Sequence, residues 1–432
     1  MTIEIATQLK SIIDSDTELV ELSQADSYWQ TKISQAVDKL DRLYLIFPSS
    51  VKILSAIVKQ ASDRGWRILI CGNASKLQWG NFTRDIQLVI STQKCDRLIE
   101  HAVGDLTVTA EAGMKLADLQ NILQSHNQFL PIDPSYPDIA TLGGIVATGN
   151  TGSWRERYGG IRDLLLGISF VRADGAVAKA GGRVVKNVAG YDLMKLFTGA
   201  YGTLGIIGQL TFRTFPIIST SETLLLTGDA DSIAQTVQTI RNSGLTPMAM
   251  DLLSKEVVKQ LKLEGIGLIV RWQSIPESIE QQIDEVKAIA TELNLITHKY
   301  KEQAEVDLWQ KCANIINVPA SDTAVICKIG IAPTMAVSFL QSKEIVDNDV
   351  AIRIHASSGI GELQSKNIAR HSIDRMRSQV AENYGFLTIL DAPEAIQQLD
   401  VWGYRGNAIA AMQAIKDRFD PQNILNPDRF IV

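Results

Sequence analysis

The sequence predicts an α+β chain of more than one domain, on three observations. Its 432 residues exceed what a single hydrophobic core ordinarily supports. Near the N-terminus, YLIFPSS, a helix-spaced segment VKILSAIVKQASDRG and the apolar run Arg67 to Ile70 follow one another as a β-α-β unit. Beyond Pro216 short apolar strands alternate with helix-spaced segments, the pattern of an α+β domain on an antiparallel sheet.

Residues 1–40 read as a helical N-terminal extension of mixed charge. Residues 41–216 hold the β-α-β start, strand-spaced segments at Ile86 to Ile90 and Asp105 to Gly113, the helix MKLADLQNILQSHNQ, a hairpin turning at Asp174-Gly175, and a last strand in GTLGIIGQLTFRTFP. Residues 217–400 form the second domain, with helices at Asp231 to Asn242 and Glu277 to Leu293 and strands in GIGLIVRW, Ala324 to Gly330 and AIRIHASSG. Residues 401–432 carry a final helix and the turn-rich FDPQNILNPDRF.

A net charge of -6 and a pI near 5.5 offer no electrostatic ground for nucleic acid or an anionic membrane surface. Cys71, Cys95, Cys312 and Cys327 are widely spaced and fit a reducing compartment better than a metal or iron-sulfur site. The acidic, helix-like N-terminus is no secretory signal, and no uncharged apolar run reaches the length of a membrane span. A cytoplasmic location is therefore expected, with a peripheral position at the inner membrane open through partners. Neither G-x-G-x-x-G, a Walker loop, H-E-x-x-H nor a G-x-S-x-G elbow occurs.

What the chain has instead is three glycine-rich loops: GNASKLQWG, TLGGIVATGNTGSWRERYGG and GAYGTLGIIG. The stretch TLGGIVATGNTGSW lacks the β-branched and aromatic residues of a buried strand, and four glycines in twelve residues argue against a helix. Glycine lets a main chain approach a ligand closely, and successive N–H groups make a concavity for anions. One such loop is equally a surface turn. Three in one domain point to a large ligand, part anionic and part flat, with a diphosphate-bearing dinucleotide the natural candidate.

The order ICGNASKLQWG, TAEAGMKLADL, PIDPSYPDIATLGGIVATGNTGSWRERYGG and KNVAGYDLMKLFTGAYGTLGIIGQLTFRTFP, with FDPQNILNP near the end, resembles the FAD-binding domain of the vanillyl-alcohol oxidase or PCMH type. Within that family it is similar to FAD-binding subunits of glycolate oxidase. The resemblance implies a PCMH-type FAD domain of two α+β lobes over residues 41–216, a cap domain on an antiparallel sheet over 217–400, and a C-terminal return to the FAD domain over 401–432. Gly72, Asn73, Ala74 and Ser75 match the segment that holds the FAD diphosphate. Pro134, Thr141, Gly143 and Gly144 match positions lining diphosphate and ribose; Ala147, Gly149, Asn150, Gly152 and Ser153 match the bed under the isoalloxazine. Tyr158 and Gly159 fall in the matching R-Y-G segment, and Gly205, Ile206 and Ile207 in the adenine-side strand. No histidine occupies these loops, so the FAD is expected to be held without a covalent tether.

Oxidation of a 2-hydroxy acid needs a cation for the carboxylate and a base for the hydroxyl proton. Arg353 and His355 stand two apart on a predicted strand, hence on one face. An exposed strand face is the plainer alternative. Active relatives carry a motif like H-x-G-D-G-N-x-H there. Here His355 and Gly359 are retained, while Ser358, Ile360 and Glu362 replace the Asp, Asn and second His, so no metal is expected. Lys186 could face the flavin, Asp192 reads as a helix N-cap, and Tyr191 and Leu193 as packing residues. The resemblance implies an FAD-dependent subunit oxidising glycolate or D-lactate, with a homologous FAD subunit and an iron-sulfur subunit as partners. The alternative is a non-catalytic flavin-binding scaffold of the same complex, and an independent sugar or alcohol oxidase is a third reading.

Overall fold

The computed structural model describes residues 2–40, 42–183, 190–397 and 400–431. Two compact units divide the chain: one comprises residues 1–152, 159–217 and 405–432, the other 153–158 and 218–404. The chain thus leaves the first unit twice, once for only six residues.

The first unit opens with helix α1 (Thr2–Lys10), strand β1 (Glu18–Glu21), α2 (Ser27–Ser34), β2 (Tyr44–Phe47), α3 (Val51–Arg64), β3 (Ile68–Cys71) and β4 (Leu88–Ser91). Their sheet has the order β1-β2-β4-β3, parallel except for the β1–β2 pair. The N-terminal extension is therefore not wholly helical: Glu18–Glu21 covers the edge of β2, where unpaired main-chain groups would otherwise face water. Amphipathic α3 follows a Ser50 cap and ends at Gly65, whose φ of 67° suits the left-handed C-terminal position. Its Leu54, Ile57, Val58 and Ala61 pack with Ile5 and Leu9 of α1 and Ile424 and Leu425 near the C-terminus.

Next come β5 (Leu98–Ala102), β6 (Thr107–Glu111), α4 (Leu116–Gln124), β7 (Gln128–Phe129), α5 (Leu142–Thr148), β8 (Leu165–Val171), β9 (Val177–Gly181), β10 (Ile206–Arg213) and β11 (Phe215–Pro216). Five form an antiparallel sheet of order β5-β6-β10-β8-β9, and β7 pairs with β11. The β8–β9 hairpin turns at Asp174-Gly175, with the Gly175 N–H donating to Arg172 O at 2.9 Å.

The second unit is one antiparallel sheet: β12 (Ser221–Gly228), β13 (Ala249–Leu253), β14 (Ile266–Gln273), β15 (Ile296–Lys301), β16 (Val325–Gly330), β17 (Ala351–His355), β18 (Ile360–Ser365) and β19 (Phe386–Asp391), in the order β15-β12-β14-β13-β17-β18-β16-β19. On one face Leu225, Leu253, Ile269 and Ala351 bury against Leu308, Cys312 and Ile316 of helix Glu302–Asn317. Farther along the strands that same face turns polar, with Arg271, Asp251, Arg353 and His355 in place of aliphatic residues. A buried sheet face tolerates such residues only when they are paired, and here they are.

Candidate cofactor site and a polar cluster on the second unit's sheet

Within the first unit, all three glycine-rich loops meet around one cleft. Its walls include Gly72 to Leu77 after β3, Thr141 to Thr148 of α5 and its cap, and Tyr201 to Ile207 leading into β10. Main-chain hydrogen bonds fix this assembly: Gly143 N–H to Ala112 O at 2.8 Å, Gly199 N–H to Val146 O at 3.0 Å and Tyr201 N–H to Ala147 O at 2.8 Å.

Thr141 to Thr148 corrects the sequence-based expectation. The segment is helical despite its glycines: Thr141 caps it by accepting the Gly144 N–H at 3.3 Å, and Gly149 ends it at φ 59°. Intrinsic propensity is a weak force beside this capping and the burial of Leu142, Ile145 and Val146. Gly72 sits against it so closely that a Cβ there would overlap the Thr141 side chain.

In the loop after β3, Ala74 adopts φ 54°, and among the described residues none accepts a hydrogen bond from the main-chain N–H of Asn73, Ala74 or Ser75. Three available amides around a left-handed residue form a concavity suited to an anion. Tyr28 Oη donates to Asn73 O at 2.6 Å, and Asn73 Nδ2 to Ile139 O at 3.2 Å, holding the loop from both sides. The cleft is lined by main chain from three loops, and its donor set suits a dinucleotide diphosphate, so the residues fit FAD.

Two residues of this wall were missed from the sequence. Asn426 accepts the Ile70 N–H at 2.6 Å and donates to Tyr201 O at 2.6 Å, bridging β3 and the third loop. Arg429 donates to the carbonyls of Leu77 and Trp79. Burial lowers its guanidinium to about 10, which leaves it charged at neutral pH. The available signal was FDPQNILNPDRF itself, a polar, turn-rich end with no surface-helix pattern.

The predicted residues divide cleanly. Gly72, Asn73, Ala74, Ser75, Thr141, Gly143, Gly144, Ala147, Gly205, Ile206 and Ile207 line the cleft. Pro134, Gly149, Asn150, Gly152 and Gly159 belong to the same unit outside that lining. Asn150 accepts the Ser135 N–H at 2.7 Å, which ties the Pro134 loop to the end of α5. Ser153 and Tyr158 belong to the second unit, in the six-residue excursion whose last four residues form α6 (Arg155–Tyr158). Lys186 lies outside the described residues. Asp192 precedes helix Leu193–Phe197 without capping it and pairs with Lys195 at 3.0 Å, while Tyr191 is 87% exposed, so it is not a packing residue.

In the second unit Arg353 and His355 are buried, not on an exposed strand face. Both turn toward Asp251 of β13, which opposes His355 in the strand register. His355 Nδ1 lies 2.7 Å from Asp251 Oδ1, Arg353 Nε 3.9 Å from Oδ2, and Ser153 Oγ donates to Oδ2. Burial alone would raise the Asp251 carboxyl, but His355, Arg353 and Ser153 outweigh it and hold it below the ordinary carboxylate value. Asp251 was missed from the sequence, although one acid inside the apolar run MAMDLL was a readable signal.

Other residues of the excursion also bind the unit. Ser357 Oγ donates to Glu156 Oε1 at 2.7 Å, and burial raises the Glu156 carboxyl against that hydrogen bond. Trp154 stacks on Tyr158 with ring centres 6.1 Å apart. Of the positions where a metal motif is replaced, Glu362 opposes Arg353 across β17–β18 and Lys328 across β16–β18. Burial lowers the Lys328 ammonium, with Glu362 opposing.

A domain of two main sheets with a main-chain cradle for a dinucleotide, interrupted by an antiparallel-sheet unit, defines a PCMH-type flavoprotein. Comparison with known proteins agrees. Residues 43–181 match the FAD binding domain family and residues 403–430 the C-terminal domain of FAD linked oxidases. Glycolate oxidase subunit GlcD of Bacillus subtilis (strain 168) is 26% identical over 419 residues, covering 89% of this chain and 88% of that protein. Glycolate oxidase subunit GlcE of Escherichia coli (strain K12) is 35% identical over 161 residues, 37% of this chain and 45% of that protein. The structure of p-cresol methylhydroxylase with substrate bound shares the fold at a TM-score of 0.74 and 12% identity, over 99% of this chain and 96% of that one. The chain is an FAD-dependent oxidoreductase, and FAD is its cofactor. Among its described residues no helix is long and apolar enough to cross a membrane.

Proposed function

We propose that the chain oxidises the CH–OH group of a 2-hydroxy acid, glycolate to glyoxylate or D-lactate to its 2-oxo acid, as a cytoplasmic subunit of a glycolate-oxidase-type complex. A homologous FAD subunit and an iron-sulfur subunit are the partners this reading names. The observation that carries it is the buried Asp251–His355–Arg353 cluster, tied by Ser153 to the chain segment that continues directly from the cofactor loops.

With Nδ1–H donated to Asp251, His355 presents Nε2 to the substrate, and no partner of that nitrogen occurs among the described residues. That nitrogen takes the substrate's hydroxyl proton, and the Asp251 carboxylate stabilises the imidazolium that results. Arg353 supplies positive charge for the substrate carboxylate. The main-chain amides of Asn73, Ala74 and Ser75 would hold the FAD diphosphate, with Thr141, Gly143 and Gly144 beside it; Gly205 to Ile207 would hold the adenine and the Ala147 to Ser153 stretch the ring. Bound FAD supplies the two-electron acceptor. Binding is non-covalent in this reading, since no histidine stands in the three loops.

The test is anaerobic addition of glycolate or D-lactate to the purified flavoprotein. Bleaching of the flavin band is the expected result, and an unchanged spectrum with both acids sinks independent catalysis, leaving the scaffold reading. Release of the flavin into the supernatant on acid precipitation checks non-covalent binding. Co-purification from native cells, with a flavin and iron count, tests the complex.

A further inference from the structure

Arg271 of β14 is fixed on the same sheet face as His355, yet nothing above uses it. Its Nε lies 2.9 Å from both Ser221 Oγ and Glu305 Oε1. The same Glu305 oxygen accepts the Ser221 and Thr223 hydroxyls at 2.8 and 2.7 Å, and Thr223 Oγ1 in turn accepts Trp309 Nε1–H at 2.9 Å. Two indoles flank the guanidinium, with its central carbon 5.2 Å from the Trp154 ring centre and 6.0 Å from that of Trp309. All of these contacts use Nε or the ring plane. Among the described residues none accepts a hydrogen bond from either Nη group, and the side chain is 16% exposed.

A guanidinium whose plane and inner edge are fixed, while its outer pair of donors is available, has the geometry that grips a carboxylate with two parallel hydrogen bonds. Its place on the sheet matters equally. Arg271 opposes Ala249 on β13, and Asp251, two residues on, opposes His355 on β17. Two strand spacings and a two-residue offset put the Arg271 and His355 Cα atoms roughly 12 Å apart. Consecutive residues reach both places: Ser153 touches Asp251, and Trp154 touches Arg271. Both side chains rise from one face, so a ligand that hydrogen-bonds the imidazole at one end and the guanidinium at the other spans most of that separation, which suits an anionic group two or three carbons beyond its hydroxyl carbon.

We infer that Arg271 is the subsite for a second anionic group of the substrate, so that the chain prefers a 2-hydroxy dicarboxylic acid to glycolate or D-lactate. The inference rests on the 2-hydroxy-acid reading above, with Arg353 taking the near carboxylate and Arg271 the far one.

The experiment compares the FAD-loaded protein with its Arg271→Lys variant, which keeps the charge but loses the fork, and with an Arg271→Met/Glu305→Gln pair that removes both ionic partners. Flavin bleaching is followed with D-2-hydroxyglutarate and with D-lactate, and binding of non-oxidisable glutarate is measured by calorimetry. The expected result is a KM at least tenfold lower for D-2-hydroxyglutarate than for D-lactate in the parent protein. Arg271→Lys should raise the dicarboxylate KM tenfold or more, leave kcat and the D-lactate KM within twofold, and weaken glutarate binding by a matching factor. Equal effects on both substrates, no preference in the parent, or unaltered glutarate binding in Arg271→Lys overturns the inference. Should neither acid bleach the flavin, the oxidation reading fails and glutarate decides alone: binding lost in Arg271→Lys supports the subsite, and no binding to the parent sinks it. If the double variant does not fold, Arg271→Lys carries the test.

Discussion

Asp251 shows how one buried carboxylate can fix two candidate functional side chains and the start of a loop. His355, Arg353 and Ser153 each spend a polar group on it, so its replacement releases all three at once. On the proposed mechanism, Asp251→Asn lowers the rate of flavin reduction by 2-hydroxy acids by about 10²–10⁴-fold, the range of a positioned general base. Ser153→Ala removes only one donor and should lower it by roughly tenfold, the equivalent of a single charge-assisted hydrogen bond. Stopped-flow bleaching measures both, and a rate in Asp251→Asn within threefold of the parent would remove Asp251 from the mechanism. Glu156 responds to pH in the opposite sense. The folded-state value of Asp251 is depressed, so its contribution to stability is present above the ordinary carboxylate value and is lost as pH falls through the lowered one. The folded-state value of Glu156 is raised by burial, so the folded protein binds more protons and stability drops as pH climbs from the ordinary carboxylate value to the raised one. Glu156→Gln keeps an oxygen for Ser357 and abolishes that titration. Its melting temperature relative to the parent should therefore be higher at pH 7 than at pH 4, and an equal difference at both pH values contradicts a buried, raised Glu156.

Among the elements, α5 decides whether the three loops can share one cleft. Its cap, Thr141, lies against Gly72 so tightly that any side chain at 72 must displace it. Gly72→Val is expected to abolish flavin retention, whereas Thr141→Ala, which loses a helix cap of about 1 kcal/mol, should only reduce it. The ratio of flavin to protein absorbance after gel filtration reports this, and full flavin content in Gly72→Val would mean that the loop after β3 does not hold the cofactor. The same elements mark where sequence reading stopped. Glycine-rich loops were readable because three runs of bare backbone in one domain serve close approach to a ligand better than they serve packing, and β3, α3, α4, β8, β9 and β10 followed from periodicity and turn residues. The helicity of Leu142–Thr148 was not, because burial and capping override propensity over so short a span. Strands β1, β5, β15 and β18 were hidden in runs that mix polar and apolar residues, and β13 and β19 in short apolar runs that periodicity alone does not assign. The Arg353–His355 pair was legible from its two-residue spacing, but its partner Asp251 lies 104 residues from His355, beyond any local pattern.

For the molecule as a whole, the C-terminal segment closes the first unit after the long excursion of residues 218–404. Lys416 is the fastening: its buried ammonium donates to Asp420 at 2.6 Å, to Thr203 O at 2.9 Å and to Leu425 O at 3.0 Å. Asp420 in turn accepts the N–H groups of Ile424 and Leu425 at 3.1 and 2.8 Å. One ion pair thereby joins the third glycine loop, through Thr203, to the strand-like end that pairs with β3 at Ile68. Burial lowers the Lys416 value despite Asp420, which shows that desolvation opposes the pair even while it is formed. Removing one partner leaves the other charge buried and uncompensated, so Lys416→Met should cost about 3–5 kcal/mol, and removing both in Lys416→Met/Asp420→Leu should cost less. FAD binds only the folded first unit, and at a hundred times its dissociation constant it returns about 2.7 kcal/mol. Denaturation of the apo protein should accordingly show a large loss in Lys416→Met that added FAD offsets in part. The outcome that would refute this account is a double variant as unstable as the single one, because the loss would then lie in packing around the last helix and not in the stranded charge.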